Sequence, residues 1–388
     1  MSSLGNEEVI ASLSNCVVVP PVLDSYGGIF YTDQQLAQLF KRRCGVGVDL
    51  SGLRPNGTLV SNSSGSTTGA VSFMHRFSNT TREVAQNGRR GALMLTMDIA
   101  HPDIEEFVTI KQDLSKVTGA NISIRLSDEF MEAVVEEKDY WLRFPIDYDI
   151  SGFTDRDNEP YNEIVEHLFY NGTDEHLGDI VLIKRVKAKE LWDTIIKCAH
   201  NTAEPGLIFW DRQHKYSTSS VYPNFKNDST NPCSEIAMQG GDSCRLIAIN
   251  LYSFVKDPFT DKAEFDLNKF YEVVYESQRL MDDLVDLELE AVREILYKVE
   301  SDQEPDEIKR VEIDTWELLQ KTGKEGRRTG LGFTALADAI AGLNLKFDTD
   351  RAIDMVDEIM KVKLRGVICI AVLIWLLQEV SLEALTQI

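Results

Sequence analysis

The chain has 388 residues, with 40 Lys and Arg against 63 Asp and Glu. The resulting formal charge of −23 excludes a protein that grips nucleic acid through its phosphates, which takes concentrated cations, but leaves room for a small basic pocket for one nucleotide. Apolar residues at 43% and charged residues at 27% fit a globular protein with a sizeable core, in one large domain or two ordinary ones.

Val17-Val18-Val19 runs into Pro20-Pro21 and reads as a buried strand closed by two residues that cannot donate ladder bonds. Thr32 to Lys41, TDQQLAQLFK, predicts a helix with Thr32 as N-cap and Leu36, Leu39 and Phe40 on its apolar face. Cys44 to Asp49 predicts a second short strand, and the run from Ser61 to Gly69 a polar loop. Phe73 to Ala85 reads as helix, Ala92 to Met97 as strand, and Asp103 to Lys111 as helix after His101-Pro102. Ile122 to Leu126 alternates as a strand, with Ser127 capping a helix through Val135. Such alternation predicts parallel β–α units.

Residues 145–180 are acidic and turn-rich, which predicts a surface excursion. Ala188 to Asn201 is an amphipathic helix, and Gly206 to Trp210 a buried strand. Leu246 to Leu251 predicts a strand, and Leu267 to Val299 and Leu343 to Lys363 predict helix. Val367 to Leu377, VICIAVLIWLL, is wholly apolar. It is shorter than the roughly 20 residues a bilayer takes, and a helix apolar all round suits deep burial more than a chain end.

Six cysteines (Cys16, Cys44, Cys198, Cys233, Cys244, Cys369) are too few and scattered for a secreted disulfide framework. No CxxC or CxxxH pair suggests structural zinc, and the N-terminus lacks the basic-then-apolar pattern of a secretion signal, so a reducing, cytoplasmic setting is expected.

The densest chemistry is Asn231-Pro232-Cys233-Ser234-Glu235, a sulfur between an amide and a carboxylate in a Pro-containing loop. Free cysteine also serves as a small buried hydrophobe, and on the residues alone both readings of Cys233 stand. Cys16 and Cys244 each border an apolar run. They are either core packing or thiols on neighbouring strands, where bonding takes Cα atoms closer than about 7 Å. A different cysteine-nucleophile enzyme needs a His base, and no His lies within 15 residues of Cys233. Gly45 and Gly47 either let backbone approach a phosphate or form an ordinary tight turn, while Arg54 and Arg90 carry planar donor forks suited to phosphate oxygens. His75 and His101 read as structural.

Nine stretches in order carry a family resemblance: SLSNC (Ser12–Cys16), DSYGG (Asp24–Gly28), GVGVDLSGLRPNG (Gly45–Gly57), EVAQNGRRGALM (Glu83–Met94), HPDIEEF (His101–Phe107), TGANISI (Thr118–Ile124), NPCSE (Asn231–Glu235), SCRLIAINL (Ser243–Leu251) and RRTGLGFTALAD (Arg327–Asp338). From about Leu13 to Leu364 the chain resembles the large, catalytic subunit of ribonucleotide reductase. The resemblance implies an α/β fold, the ten-stranded barrel of two five-strand halves with a finger loop inside. Residues 1–230 would be the first half. Residues 231–365 would hold the finger loop, one returning strand and added helices of the same incomplete domain.

By the same resemblance Cys233 would be the thiyl radical that abstracts the ribose 3′-hydrogen, and Glu235 the base for the 3′-hydroxyl proton. Asn231 would bond the ribose hydroxyls, and Cys16 and Cys244 would be the dithiol that reduces the 2′-carbon. Asn15, Cys44 and Gly45 would lie at the substrate. Asp24 and Arg54 would bind a deoxynucleotide or ATP effector, and Gln86 to Arg90 would convey its identity to the substrate base. No metal is expected in this chain. The radical would come from a metal-containing small subunit, towards which SLSNC and DSYGG lean, or from adenosylcobalamin. Thioredoxin or glutaredoxin would re-reduce the site, the intact protein would be a homodimer, and neither nucleic acid nor membrane is an expected partner.

Departures from the family pattern are equally plain. The family's N-terminal region, second half-barrel and C-terminal cysteine pair are not in these 388 residues. The expectation is therefore a fragment inactive alone, or an effector-binding or partner module of a split reductase. The tail at 366–388 is anomalous. Read one base out of register, its codons can encode a family-like YSSIDLAI and RGSF, so a frame-shifted reading is expected, with a separate second-half polypeptide as the alternative.

Overall fold

The computed structural model describes residues 10–58, 60, 65–84, 91–146, 165–170, 178–222 and 225–385. They fall into two compact units, Met1–Ser243 with Val292–Thr322, and Cys244–Ala291 with Gly323–Ile388.

The first unit runs β1 (Cys16–Val18), α1 (Tyr26–Lys41), β2 (Gly45–Asp49), α2 (Gly69–Glu83), β3 (Leu93–Asp98), α3 (Ile104–Thr109), β4 (Asn121–Leu126), α4 (Asp128–Val135), β5 (Asp139–Phe144), β6 (Val165–Tyr170), β7 (Gly178–Lys187), α5 (Ala188–Thr202), β8 (Gly206–Phe209), α6 (Trp210–Tyr216), β9 (Ser229–Thr230) and β10 (Ala237–Met238). Strands β1, β2, β3, β4 and β8 lie side by side in that order, all parallel. GVGVD of β2 is buried at every position, as expected of a parallel strand covered on both faces. Leu36 and Phe40 of α1, Met74 and Phe77 of α2, Phe107 and Phe130 form the core with the strands, joined by Val292, Ile295 and Trp316.

Two local expectations give way to tertiary packing. The first helix starts at Ser25, whose Oγ accepts the Gly28 N–H at 3.0 Å, and Thr32 is buried inside it. Gly27 and Gly28 weaken the local helix signal, but a Cβ on Gly28 would sit 2.6 Å from the Leu23 carbonyl oxygen, so close packing requires glycine there. The acidic 145–180 stretch also holds more structure than an excursion. Antiparallel β5, β7 and β6 form a three-stranded sheet, the backbone pairing of β7 with both neighbours making strands of a stretch whose composition reads as turn-rich. Residues 147–164 and 171–177 lie outside the described residues. Ser127 caps α4 as expected, accepting the Phe130 N–H at 3.1 Å. Strand β8 is only half-buried, with Phe209 45% exposed, and Trp210 opens α6 instead of extending the strand.

The chain passes into the second unit at β11 (Ser243–Cys244). Along the chain follow β12 (Leu246–Asn250), β13 (Val255–Lys256), β14 (Glu264–Phe265) and α7 (Leu267–Ser301), which passes back into the first unit at Val292. Helix α8 (Asp306–Gly326) belongs to that unit as far as Thr322, and β15 (Gly330–Thr334), α9 (Leu336–Gly342) and α10 (Asp350–Leu385) to the second. Strands β12 and β15 pair in parallel, and Phe254, Phe265 and Phe270 cluster beside Val274, Met281 and Ile359. Where the apolar tail begins, α10 packs so tightly that a Cβ on Gly366 would lie 2.7 Å from Val274. Among the described residues no helix is long and apolar enough to cross a membrane.

Candidate active site

β9 and β10 pair antiparallel, Thr230 with Ala237, and the turn between them is NPCSE with Ile236. Asn231 closes that turn. It is fully buried, its backbone N–H donates to the Ile236 carbonyl at 3.2 Å, and its Oδ1 accepts the Ile236 N–H at 3.2 Å. Its carbonyl accepts the Ser234 N–H at 3.0 Å, and Ser234 takes a left-handed φ of 65°. The tight turn pushes Cys233 and Glu235 outward, and both are exposed.

Four consecutive residues of this hairpin step across four neighbouring strands. The Asp228 carbonyl accepts from Arg125 of β4 at 3.0 Å, and the Ser229 hydroxyl meets that of Thr96 in β3 at 3.0 Å. Thr230 presses its carbonyl onto Gly47 of β2, where a Cβ would sit 1.7 Å from the oxygen. Asn231 donates its side-chain N–H to the Cys16 sulfur of β1 at 3.6 Å. The hairpin thus lies diagonally over the sheet, with its tip at the start of β1 and β2. There Pro232 packs against Gly45, which donates its N–H to the Asn15 carbonyl at 2.6 Å.

Cys16 is half-buried, and burial pushes its thiol up from the usual value of 9.0. The Asn231 hydrogen bond pulls it back in part, and the neighbouring Glu235 and Cys233 raise it further. The first cysteine, the loop cysteine and the loop carboxylate are therefore electrostatic neighbours. Because the folded state favours the protonated thiol, its contribution to stability is complete below the ordinary value of 9.0. That contribution is lost as pH climbs through the raised folded value. Urea denaturation from pH 8 to 10.5 is expected to show a decline in stability that Cys16→Ser lacks.

A second concentration of predicted residues lies at the N-terminus of α1. Asp24 and Arg54 form an ion pair at 2.7 Å and line a cavity of about 350 Å³ with Ser25, Tyr26, Thr67 and Phe73. A helix N-terminus and a guanidinium facing one cavity suit an anionic ligand. The segment carrying Arg54 is pinned on both sides. His101, fully buried and neutral because burial lowers its pKa, donates Nε2–H to the Leu53 carbonyl at 2.8 Å and accepts the Asp103 N–H on Nδ1 at 3.0 Å. The Asp103 carboxylate accepts N–H groups from Asn56 at 3.0 Å and, at the start of α2, from Ala70 at 3.1 Å. Asp103→Asn keeps the shape but loses the charge and one acceptor. It is expected to cost about 1–2 kcal/mol in chemical denaturation, since hydrogen bonds to charged groups exceed neutral ones by about that much.

The remaining predicted residues separate. Cys44 is buried in the core, with its backbone N–H donated to the Leu39 carbonyl at 3.1 Å, so it is not exposed at the hairpin tip. Asn15 is exposed and adjoins Cys16. Gln86 and Arg90 lie outside the described residues. Cys244 is buried in the second unit, where a side chain on Gly330 would come within 3.8 Å of its sulfur. None of the six cysteines is in a disulfide.

Comparison with known proteins gives the family. The family description "Ribonucleotide reductase, barrel domain" matches residues 14–367. The chain belongs to the ribonucleotide reductase barrel-domain family. Its parallel sheet is accordingly part of an incomplete α/β barrel. The chain is 30% identical over 353 residues to the "Vitamin B12-dependent ribonucleoside-diphosphate reductase" of Thermoplasma acidophilum, which covers 90% of this chain and 38% of that protein. The protein of the same name from Mycobacterium tuberculosis is 28% identical, with 90% of this chain and 42% of the relative covered. The "Ribonucleoside-diphosphate reductase large chain" of Neurospora crassa is 25% identical over 88% of this chain and 34% of its own length. The chain thus spans well under half the length of these ribonucleotide reductases.

Sequence reasoning missed Arg125, Asp228 and Asp103. Arg125 sits at the fifth position of NISIRL, where a strand buried on both faces should carry an apolar residue, and that breach of pattern was the available signal.

Proposed function

We propose that this chain supplies the thiol site of a ribonucleotide reductase, with ribonucleoside diphosphates as the substrate class. The observation that carries the proposal is the Asn231 amide on the Cys16 sulfur, which brings the NPCSE loop onto the first cysteine. Cys233 as a thiyl radical would take the ribose 3′-hydrogen and later return it. Glu235 would accept the 3′-hydroxyl proton, and Asn231 would orient the ribose. Cys16 and Cys244 would supply two electrons and two protons as they join in a disulfide, while the 2′-hydroxyl leaves as water and C–H replaces C–O. A carboxylate placed beside the sulfur before hydrogen abstraction suits that proton transfer.

For the radical source, the vitamin B12-dependent names of the Thermoplasma and Mycobacterium relatives support adenosylcobalamin; the small-subunit expectation finds no such support. The chemistry that cofactor supplies when bound is a carbon-centred radical, and the exposed Cys233 sulfur fits an acceptor reached from outside the loop.

The cavity at Asp24 and Arg54 would take a deoxynucleoside triphosphate effector. Purified chain given adenosylcobalamin, dithiothreitol and a ribonucleoside diphosphate is expected to form no deoxynucleotide, yet to bind deoxynucleoside triphosphates in calorimetry. Arg54→Ala should weaken that binding at least 10-fold, about 1.4 kcal/mol. Binding that ignores Arg54, or turnover by the chain that survives Cys233→Ser, would sink the proposal.

A further inference from the structure

Beneath the base of the Cys233 hairpin lies a buried charge cluster that the thiol chemistry does not use. Arg125 is 8% exposed and forms ion pairs with Asp49 at 3.3 Å and Asp98 at 3.4 Å, residues that end β2 and β3. Its guanidinium is stacked over the Trp210 ring at 4.5 Å from the centroid. Ser51 and Thr96 hydroxyls donate to Asp49 at 2.9 and 3.0 Å, so the carboxylate itself is held. With both carboxylates and the indole fixing its plane, the guanidinium reaches beyond the sheet and α6 to one hydrogen-bond acceptor among the described residues, the Asp228 carbonyl. The Asp228 carboxylate in turn accepts the Gly240 N–H at 2.6 Å, and its backbone N–H donates to the Met238 carbonyl at 2.8 Å, so both arms of the hairpin meet at this point.

We infer that Arg125 is the positioning residue for Cys233: clamped by Asp49, Asp98 and Trp210, it pins the base of the hairpin and thereby sets where its tip meets Cys16. Burying an ion cluster costs desolvation energy that a packed apolar cluster does not, so its presence is better explained by geometry than by stability. The hairpin rests on the sheet at its base through Arg125, at its middle through Thr96 and Gly47, and at its tip through Asn231. Freeing the base leaves a short two-stranded ribbon, marginal by itself, free to shift along the diagonal. The tip bond to Cys16, from the Asn231 amide to sulfur at 3.6 Å, then loses the register that holds it.

The inference rests on reading this hairpin as the reactive element, but its test needs no turnover, so a failed activity assay leaves it standing. In the intact chain, iodoacetamide labelling of each cysteine is followed by peptide mass spectrometry, with buried Cys44 and Cys198 as internal controls for unfolding. Arg125→Met is expected to raise the Cys16 rate at least 5-fold while the two controls stay slow, and Arg125→Lys should return it to within about twofold of the parent. An unchanged Cys16 rate in folded Arg125→Met overturns the inference, and so does a Lys variant that rescues folding but not the Cys16 rate. If Arg125→Met exposes the controls as well, Asp98→Asn carries the test, because it loosens the clamp while leaving the Asp49 pair. A twofold or greater rise at Cys16 alone then supports the inference, and no rise overturns it.

Discussion

Replacing Gly47 with alanine is expected to unseat the hairpin that carries Cys233. The added Cβ would lie 1.7 Å from the Thr230 oxygen and 2.9 Å from its carbonyl carbon, far inside contact distance and against backbone, which cannot rotate away. Strand β2 cannot yield either, since it is hydrogen-bonded to β1 on one side and β3 on the other and is buried throughout. The hairpin must therefore lift, and it takes with it the Ser229 contact to Thr96 and the Asn231 contact to Cys16. Overpacking alone costs about 1–3 kcal/mol. With roughly 1 kcal/mol for each hydrogen bond lost, the expected total is about 3–5 kcal/mol by urea denaturation. Cys16 should become at least 10-fold more reactive towards iodoacetamide. An alanine variant as stable as the parent, with a slow Cys16, would show that the hairpin does not rest on this glycine.

Asn231→Leu should have the next largest effect, because this near-isosteric change removes both side-chain bonds without opening space. The Asn231 side chain holds the Ile236 N–H and the Cys16 sulfur at once and is fully buried. Its loss leaves the Ile236 N–H without its side-chain acceptor, at a cost of about 1–3 kcal/mol, with a further ~1 kcal/mol for the sulfur bond. The thiol has its own signature. The Asn231 bond lowers the Cys16 pKa against burial, so its removal should move the alkylation–pH profile of Cys16 further upward. A stability loss with an unmoved profile would mean that Asn231 shapes the loop but does not touch the thiol in solution.

Much of the parallel sheet was legible because strands covered on both faces are written as short, nearly continuous apolar runs, such as Leu93 to Met97, and because Ile122 to Leu126 alternates at the strand period. The cap at Ser127 was legible because an N-cap acts within three residues. The true start of α1 was not, since Gly27 and Gly28 argue against helix locally and only the approach of Leu23 explains them. Strand β15 was hidden in a Gly-rich stretch, where its pairing with β12 and not its own propensity makes it a strand. In the site, the reactive types in NPCSE were visible at once, whereas the supports at Arg125, Asp103 and Gly47 were not. Their roles lie in contacts to residues 103, 33 and 183 positions away.

Local chemistry and family pattern in the sequence thus determined where most strands of the parallel sheet and the cap at Ser127 fall, and that the loop at 231–235 concentrates a thiol, an amide and a carboxylate. Tertiary structure decided that Asn231 meets Cys16 across a separation of 215 residues, and that Cys233 and Glu235 point outward while Cys44 is sealed in the core. The physical reason is that a strand's periodicity specifies its faces but not its neighbours. Only the order β1, β2, β3, β4 in the sheet gives the hairpin a diagonal to lie on, and only the bare backbone of Gly47 lets it lie close.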